Sequence, residues 1–82
     1  MDIKKRRGRL EILGDILRIC REGVNKTRIV YGANSNFKLM SEYLKFLAES
    51  GLVTEEDRIW STTEKGREFL NRLHDLKLLM FW

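Results

Sequence analysis

The stretch KTRIVYGANSNFKLMSEYLKFLAESGLV, residues Lys26 to Val53, decides the fold. A short apolar run over Ile29-Val30-Tyr31 stops at Gly32-Ala33-Asn34, a long amphipathic segment follows, and Gly51 closes it. Two helices joined by a tight turn give this pattern, with the second able to lie in a DNA groove. The first of the pair is expected over Lys26–Tyr31 with Asn25 as its N-cap, and the second over Phe37–Ser50 with Asn36 as its cap. At 100° per residue, Met40, Leu44 and Leu47 define the inner face of this second helix, flanked by Phe37 and Tyr43. Lys38, Glu42, Lys45 and Glu49 lie opposite. Leu39 and Phe46 make a separate apolar patch about 100° from the core centre, which suits packing on a further helix.

Working outward, Leu52-Val53 and Ile59-Trp60 read as two short strands around the polar Thr54-Glu55-Glu56-Asp57-Arg58, a hairpin of wing size. On the N-terminal side, Leu10, Leu13, Ile16, Leu17 and Cys20 recur at three- and four-residue spacing. They predict a helix over Arg9–Arg21 that ends at Glu22-Gly23. Gly14 within it is unfavourable by about 1 kcal/mol against alanine unless close packing requires it. Cys20 falls on the apolar stripe and reads as a core thiol. Thr63 reads as the N-cap of a last helix with Glu64 in its first turn. Phe69, Leu73, Leu76 and Met80 then step by four, three and four, a coiled-coil seam broadened by Leu70, Leu78, Leu79, Phe81 and Trp82. A small domain gains little from exposing such a cluster, so this helix is expected to pair with its counterpart in a homodimer, with folding back on the first helix as the alternative.

The whole pattern is mainly α with a small β-hairpin, a winged helix-turn-helix of three helices plus wing with an additional C-terminal dimerisation helix. It divides into a basic arm over 1–8, a winged-helix domain over 9–62 and the C-terminal helix over 63–82. Eighty-two residues make one domain with a small core. The net charge of +4 is uneven: Lys4, Lys5, Arg6, Arg7 and Arg9 hold five of the 16 basic residues, leaving 11 against 12 acidic ones. Basic character therefore sits in the arm, where it suits phosphate contact. The charged N-terminus carries no secretory signal, and no apolar run approaches the ~20 residues of a membrane span. A single cysteine excludes an internal disulfide and fits a reducing cytoplasm, a location that DNA binding would narrow to nucleoid-associated.

Four stretches resemble the small basic archaeal chromatin-associated winged-helix proteins of the ten-kilodalton Sulfolobus type and related archaeal regulators. They are R-L-E-I-L-x-D-I-L from Arg9, K-T-R-I-V-Y-G-A-N from Lys26, F-x-x-M-x-x-Y-L-x-x-L from Phe37 and T-E-K-G-R-E-F-L from Thr63. The resemblance implies a dimer joined by an antiparallel coiled coil of the C-terminal helices. It also implies binding of double-stranded DNA with modest sequence preference. Carried onto this sequence, the DNA face is Asn34, Asn36, Phe37, Lys38, Ser41, Glu42 and Lys45, with Lys26 and Arg28 near the backbone. Three positions depart from the pattern. Ser35 replaces an apolar residue and loosens the turn, Thr62 replaces leucine and weakens the strand-to-helix corner, and Glu55-Glu56-Asp57 puts carboxylates at the wing. Carboxylates repel phosphate, so Arg58 alone is retained there as a contact.

Within the reading helix, Lys38 and Lys45 lie about two turns apart and point the same way. Lysine rather than bidentate arginine favours backbone attraction over base discrimination. Asn36 is either a cap or an adenine reader, and Glu42 pairs with its lysine neighbours more readily than it reads cytosine. Enzymatic, metal and cofactor functions are not expected: His74 stands alone, adjacent carboxylates make no cage, and no phosphate loop occurs. The expected partners are double-stranded DNA and a second copy, with no membrane and no small-molecule substrate. The alternative is a winged-helix protein-interaction module, which the acidic wing and near-neutral body favour.

Overall fold

The computed structural model describes residues 8–80, so Lys4, Lys5, Arg6, Arg7, Phe81 and Trp82 lie outside the described residues. The order is α1 (Arg9–Ile19), a 3₁₀ turn (Cys20–Glu22), α2 (Lys26–Gly32), α3 (Phe37–Glu49), β1 (Val53–Glu56), β2 (Ile59–Thr62) and α4 (Glu64–Met80). Ile16, Leu17, Cys20, Ile29, Met40, Leu44 and Leu47 are fully buried at the centre, where α1, α2 and α3 meet, and Leu52, Val53 and Leu70 extend that core.

The helix starts form as the side chains dictate. Asn25 accepts the Arg28 N–H at 2.9 Å, Asn36 that of Leu39 at 2.9 Å, and the Thr63 hydroxyl that of Gly66 at 3.1 Å. Each satisfies an orphan amide of the first turn. Between α2 and α3 the chain turns through Asn34, whose φ of 55° is left-handed. Asparagine tolerates that region. Ser35 does not loosen this turn. Its N–H donates to Val30 O at 3.0 Å and its side chain is half-buried.

Several boundaries differ from the sequence reading. The first helix gives way at Cys20 to a 3₁₀ turn that Gly23 closes, its N–H donating to Cys20 O at 3.1 Å. The tighter turn swings Val24 beside Trp60, where their backbones exchange hydrogen bonds of 3.0 and 2.7 Å and add a single bridge to the hairpin edge. The strands run further than their apolar residues suggest. Val53 pairs with Thr62 and Glu56 with Ile59, so only Asp57-Arg58 turn, with φ of 53° and 66°. A two-residue turn with both positions left-handed matches the twist of an antiparallel hairpin, and that geometry moves Glu55 and Glu56 off the tip into β1. Leu10 closes no core. It stands 46% exposed at the N-terminal end of the α1 stripe.

Thr62 corrects a further expectation. It is 5% exposed, and its hydroxyl donates to Leu17 O at 2.7 Å, so it ties β2 to the end of α1 instead of weakening the corner. Thr62→Val would keep the shape but strand that buried carbonyl, at an expected loss of about 1–3 kcal/mol in urea unfolding.

α4 folds back along α1. Leu73 packs over Gly14, where an added Cβ would lie 2.9 Å from Leu73 Cδ2, and Lys77 Nζ sits 3.9 Å from Glu11. The interior glycine of α1 is thus explained by this close approach. Beyond the contact, Leu76, Leu78, Leu79 and Met80 are exposed. Leu39 and Phe46 are not covered by any described helix. They are 37% and 53% exposed and, with Arg9, Leu13, Glu42 and Tyr43, line a shallow groove of about 320 Å³. No helix of the described residues is long and apolar enough to cross a membrane.

Candidate nucleic-acid interface

α3 is held by its apolar face against α2, β1 and the shared core, which leaves Lys38, Ser41, Glu42 and Lys45 along its outer side. Lys38 and Lys45 are both exposed. Seven residues separate them, a rise of about 10 Å with almost no rotation, so the two ammonium groups stand in a row. Ser41 lies between them and is half-buried, because Lys26 Nζ at the start of α2 donates to its hydroxyl at 2.6 Å. This bond joins two residues separately assigned to DNA. It makes Lys26 and Ser41 a brace between α2 and α3, which fixes how the lysine row is presented.

The remaining residues fall into distinct groups. Asn34 and Phe37 flank the start of α3, Phe37 being 50% exposed. Asn36 Oδ1 is occupied by the Leu39 N–H. Bidentate reading of adenine needs that oxygen as acceptor together with the amide as donor, so the cap competes with it. Arg28 is exposed on the outer ridge of α2. Arg58 lies at the hairpin tip beside Asp57, with Glu55 and Glu56 exposed in the strand behind them. Arg9 lines the groove beside Leu39 and Phe46, away from the lysine row.

Tyr31 is not among the residues that the sequence assigns to the interface. Part of an apolar run, it nonetheless points outward from α2 with 78% exposure, on the ridge that carries Thr27 and Arg28. Its position 140° from Lys26 on the helical wheel was the available signal.

Other chemistry finds little footing. Burial pushes the Cys20 thiol up to about 11, which keeps it protonated and unreactive. His74 is exposed on α4, and no cluster of metal-ligating side chains occurs among the described residues.

Comparison with known proteins agrees with this architecture. The winged helix-turn-helix family pattern matches residues 6–81. An uncharacterized protein of Methanocaldococcus jannaschii, MJ0287, is 33% identical over 76 residues, covering 92% of this chain and 78% of its own length. A second from the same organism, MJ0290, is 25% identical over 77 residues, and the chain spans about a third of it, 36%. Among solved structures, Sso10a-2, a DNA-binding protein from Sulfolobus solfataricus, superposes with a TM-score of 0.79 at 36% identity. That match covers 90% of this chain and 82% of the other. The resemblance carried by the four sequence motifs is thereby borne out, as is the fold of helices, hairpin and additional C-terminal helix. The chain belongs to the winged helix-turn-helix family.

Proposed function

We propose that this protein binds double-stranded DNA as a homodimer and acts by binding, as a transcriptional regulator or chromatin-associated protein in the cytoplasm. The observation that carries the reading is the exposed Lys38/Lys45 row on the second helix of a helix-turn-helix, braced by the Lys26–Ser41 bond. Its support is the family itself and the likeness to a DNA-binding protein. In this reading α3 enters the major groove with Lys38 and Lys45 toward phosphates and Ser41 toward the base edges. Asn34, Asn36 and Phe37 approach at its N-terminal end. Arg28 and the Tyr31 hydroxyl meet the backbone from α2, and Arg58 is the contact at the wing. Few bidentate donors face the groove, so sequence preference is modest.

The arm, Lys4, Lys5, Arg6, Arg7 and Arg9, adds phosphate contacts without reading bases. Fluorescence anisotropy with a random-sequence duplex tests this directly. Sub-micromolar binding at ~50 mM salt should weaken steeply as salt rises, each phosphate contact adding about −0.9 to the log–log slope. Replacing the five arm residues by alanine should flatten that slope by up to ~4.5 and weaken all duplexes alike. Loss confined to one sequence would mean that the arm reads bases.

Dimerisation is proposed through the exposed part of α4, around Leu76, Leu79 and Met80, with Phe69 at its edge and Phe81 and Trp82 continuing it. Leu73 also belongs to the seam by spacing, but it is buried against Gly14 of its own chain.

The acidic hairpin supports one second reading, a protein-interaction module. Failure to bind heparin and duplex DNA at low salt would favour it.

A further inference from the structure

Phe37, Leu39 and Phe46 are the large apolar side chains that α3 leaves exposed, and they fall into two places. Leu39 and Phe46 share the wall of the shallow groove beside the start of α1. Phe37 does not line that groove, and it is not among the residues packed on the core. It is the first residue of the helix, directly after the Asn36 cap. On the helical wheel it stands about 40° from Ser41 and about 80° from Lys45, but about 160° or more from Leu39 and Phe46. Its ring is thus at the leading end of the helix, on the side of the lysine row where Ser41 meets α2, with half of its surface open. A lone exposed apolar side chain is ordinary on a protein surface. What distinguishes this one is its place.

A helix-turn-helix meets base edges with the N-terminal residues of its second helix. The hydrogen-bonding groups nearest that end are already engaged. Asn36 Oδ1 holds the Leu39 N–H at 2.9 Å, and Ser41 Oγ accepts Lys26 Nζ at 2.6 Å, which leaves it a single O–H. The lysines suit phosphates. An apolar ring remains at the front, and the apolar feature of the major groove is a methyl group on pyrimidine C5. Thymine carries it, cytosine does not, and 5-methylcytosine carries it at the same position. We propose that Phe37 reads the C5-methyl group of a pyrimidine, which in unmodified DNA is thymine. This rests on the reading of α3 as lying in the major groove of DNA, and it names what that helix distinguishes there.

The contact has a characteristic signature. A methyl group taken out of water against an aromatic ring is worth a factor of about three to five in affinity, enough for a graded preference and too little for a strict one. It neutralises no phosphate and releases no counterion. The preference should therefore hold steady as salt rises, while the affinity on which it is superimposed falls steeply.

The test uses the full chain and three random-sequence duplexes of one design, read by fluorescence anisotropy at several salt concentrations. The first contains thymine, the second uracil in its place, and the third uracil together with 5-methylcytosine in place of cytosine. The unmodified protein is expected to bind the thymine duplex about three- to fivefold tighter than the uracil duplex, at every salt concentration. The third duplex separates the two carriers: regained affinity means that the methyl group is read on either pyrimidine, and no gain means that it is read on thymine. Phe37→Ala and Phe37→Gln should both bring the thymine-to-uracil ratio to about one, the second guarding against a defect peculiar to truncation. Tyr31→Ala should weaken all three duplexes and leave the ratio as it was. Equal binding of the thymine and uracil duplexes by the unmodified protein would overturn the proposal while DNA binding stands, as would a ratio that survives both Phe37 variants. If no duplex is bound even at low salt, the DNA reading itself falls.

Discussion

Lys38→Glu/Lys45→Glu protein is expected to lose at least about a hundredfold in affinity for duplex DNA at ~0.1 M salt, with its fold intact. A unit charge 4 Å from a phosphate is worth about 1 kcal/mol in water, and reversing two lysines changes that interaction by about 4 kcal/mol before screening. Even with a third of this screened away, about 2.7 kcal/mol remains, which is close to two factors of ten. Both side chains are exposed, so stability should move little. The new glutamates would flank Glu42 at four- and three-residue spacing, a like-charge cost of a few tenths of a kcal/mol. Lys38→Gln/Lys45→Gln controls for that repulsion and should flatten the salt slope by about 2. Circular dichroism checks the fold, and anisotropy across a salt series reads the binding. A loss under threefold would remove α3 from the DNA interface.

Gly66→Ala should be the most damaging single methyl group in the chain. A Cβ there would lie 2.2 Å from Leu52 O and 2.6 Å from Thr62 Cγ2. The first of these is backbone, held in place because the Thr63 N–H donates to the same carbonyl at 3.0 Å. Neither α4 nor the hairpin can yield without breaking that corner. The expected loss is about 3 kcal/mol or more, at the upper end for overpacking. For a domain of this size that is a fall of about 12 °C or more in Tm. Gly14→Ala gives the contrast. Its new methyl meets only the flexible end of Leu73 at 2.9 Å, and alanine favours the helix by about 1 kcal/mol, so the two effects nearly cancel. Thermal melts of the two variants side by side would test the distinction. Equal losses would mean that α4 packs on α1 as tightly as on the hairpin.

These two glycines mark what could and could not be read in advance. Helical periodicity and the caps Asn25, Asn36 and Thr63 act within a few residues, and they placed α2 and α3, and the start of α4, to within a residue. The hairpin register was less legible. Glu55 and Glu56 are exposed on both faces of a two-stranded wing, so no alternation of apolar and polar residues marks β1. Val24 joins Trp60 through a backbone bridge, which a side-chain pattern does not show. Thr62 looked like a defect in the corner because its partner, the Leu17 carbonyl, lies 45 positions away. Within the candidate interface, the lysine row followed from spacing. The Lys26–Ser41 brace did not: it links positions 15 apart and depends on the angle between α2 and α3.

The two-residue turn at Asp57-Arg58 has one more consequence. Four residues of strand extend about 13 Å, and a turn this tight adds almost nothing. A wing so short has no slack with which to stretch along the duplex and sample neighbouring base pairs. In the proposed complex each head therefore has a narrow footprint, and most of the positional information lies in the distance between the two heads. Such a protein acts as a pair of calipers, with the gap set by the dimer contact. Changing that contact would alter which spacings it grips without touching a residue that meets DNA.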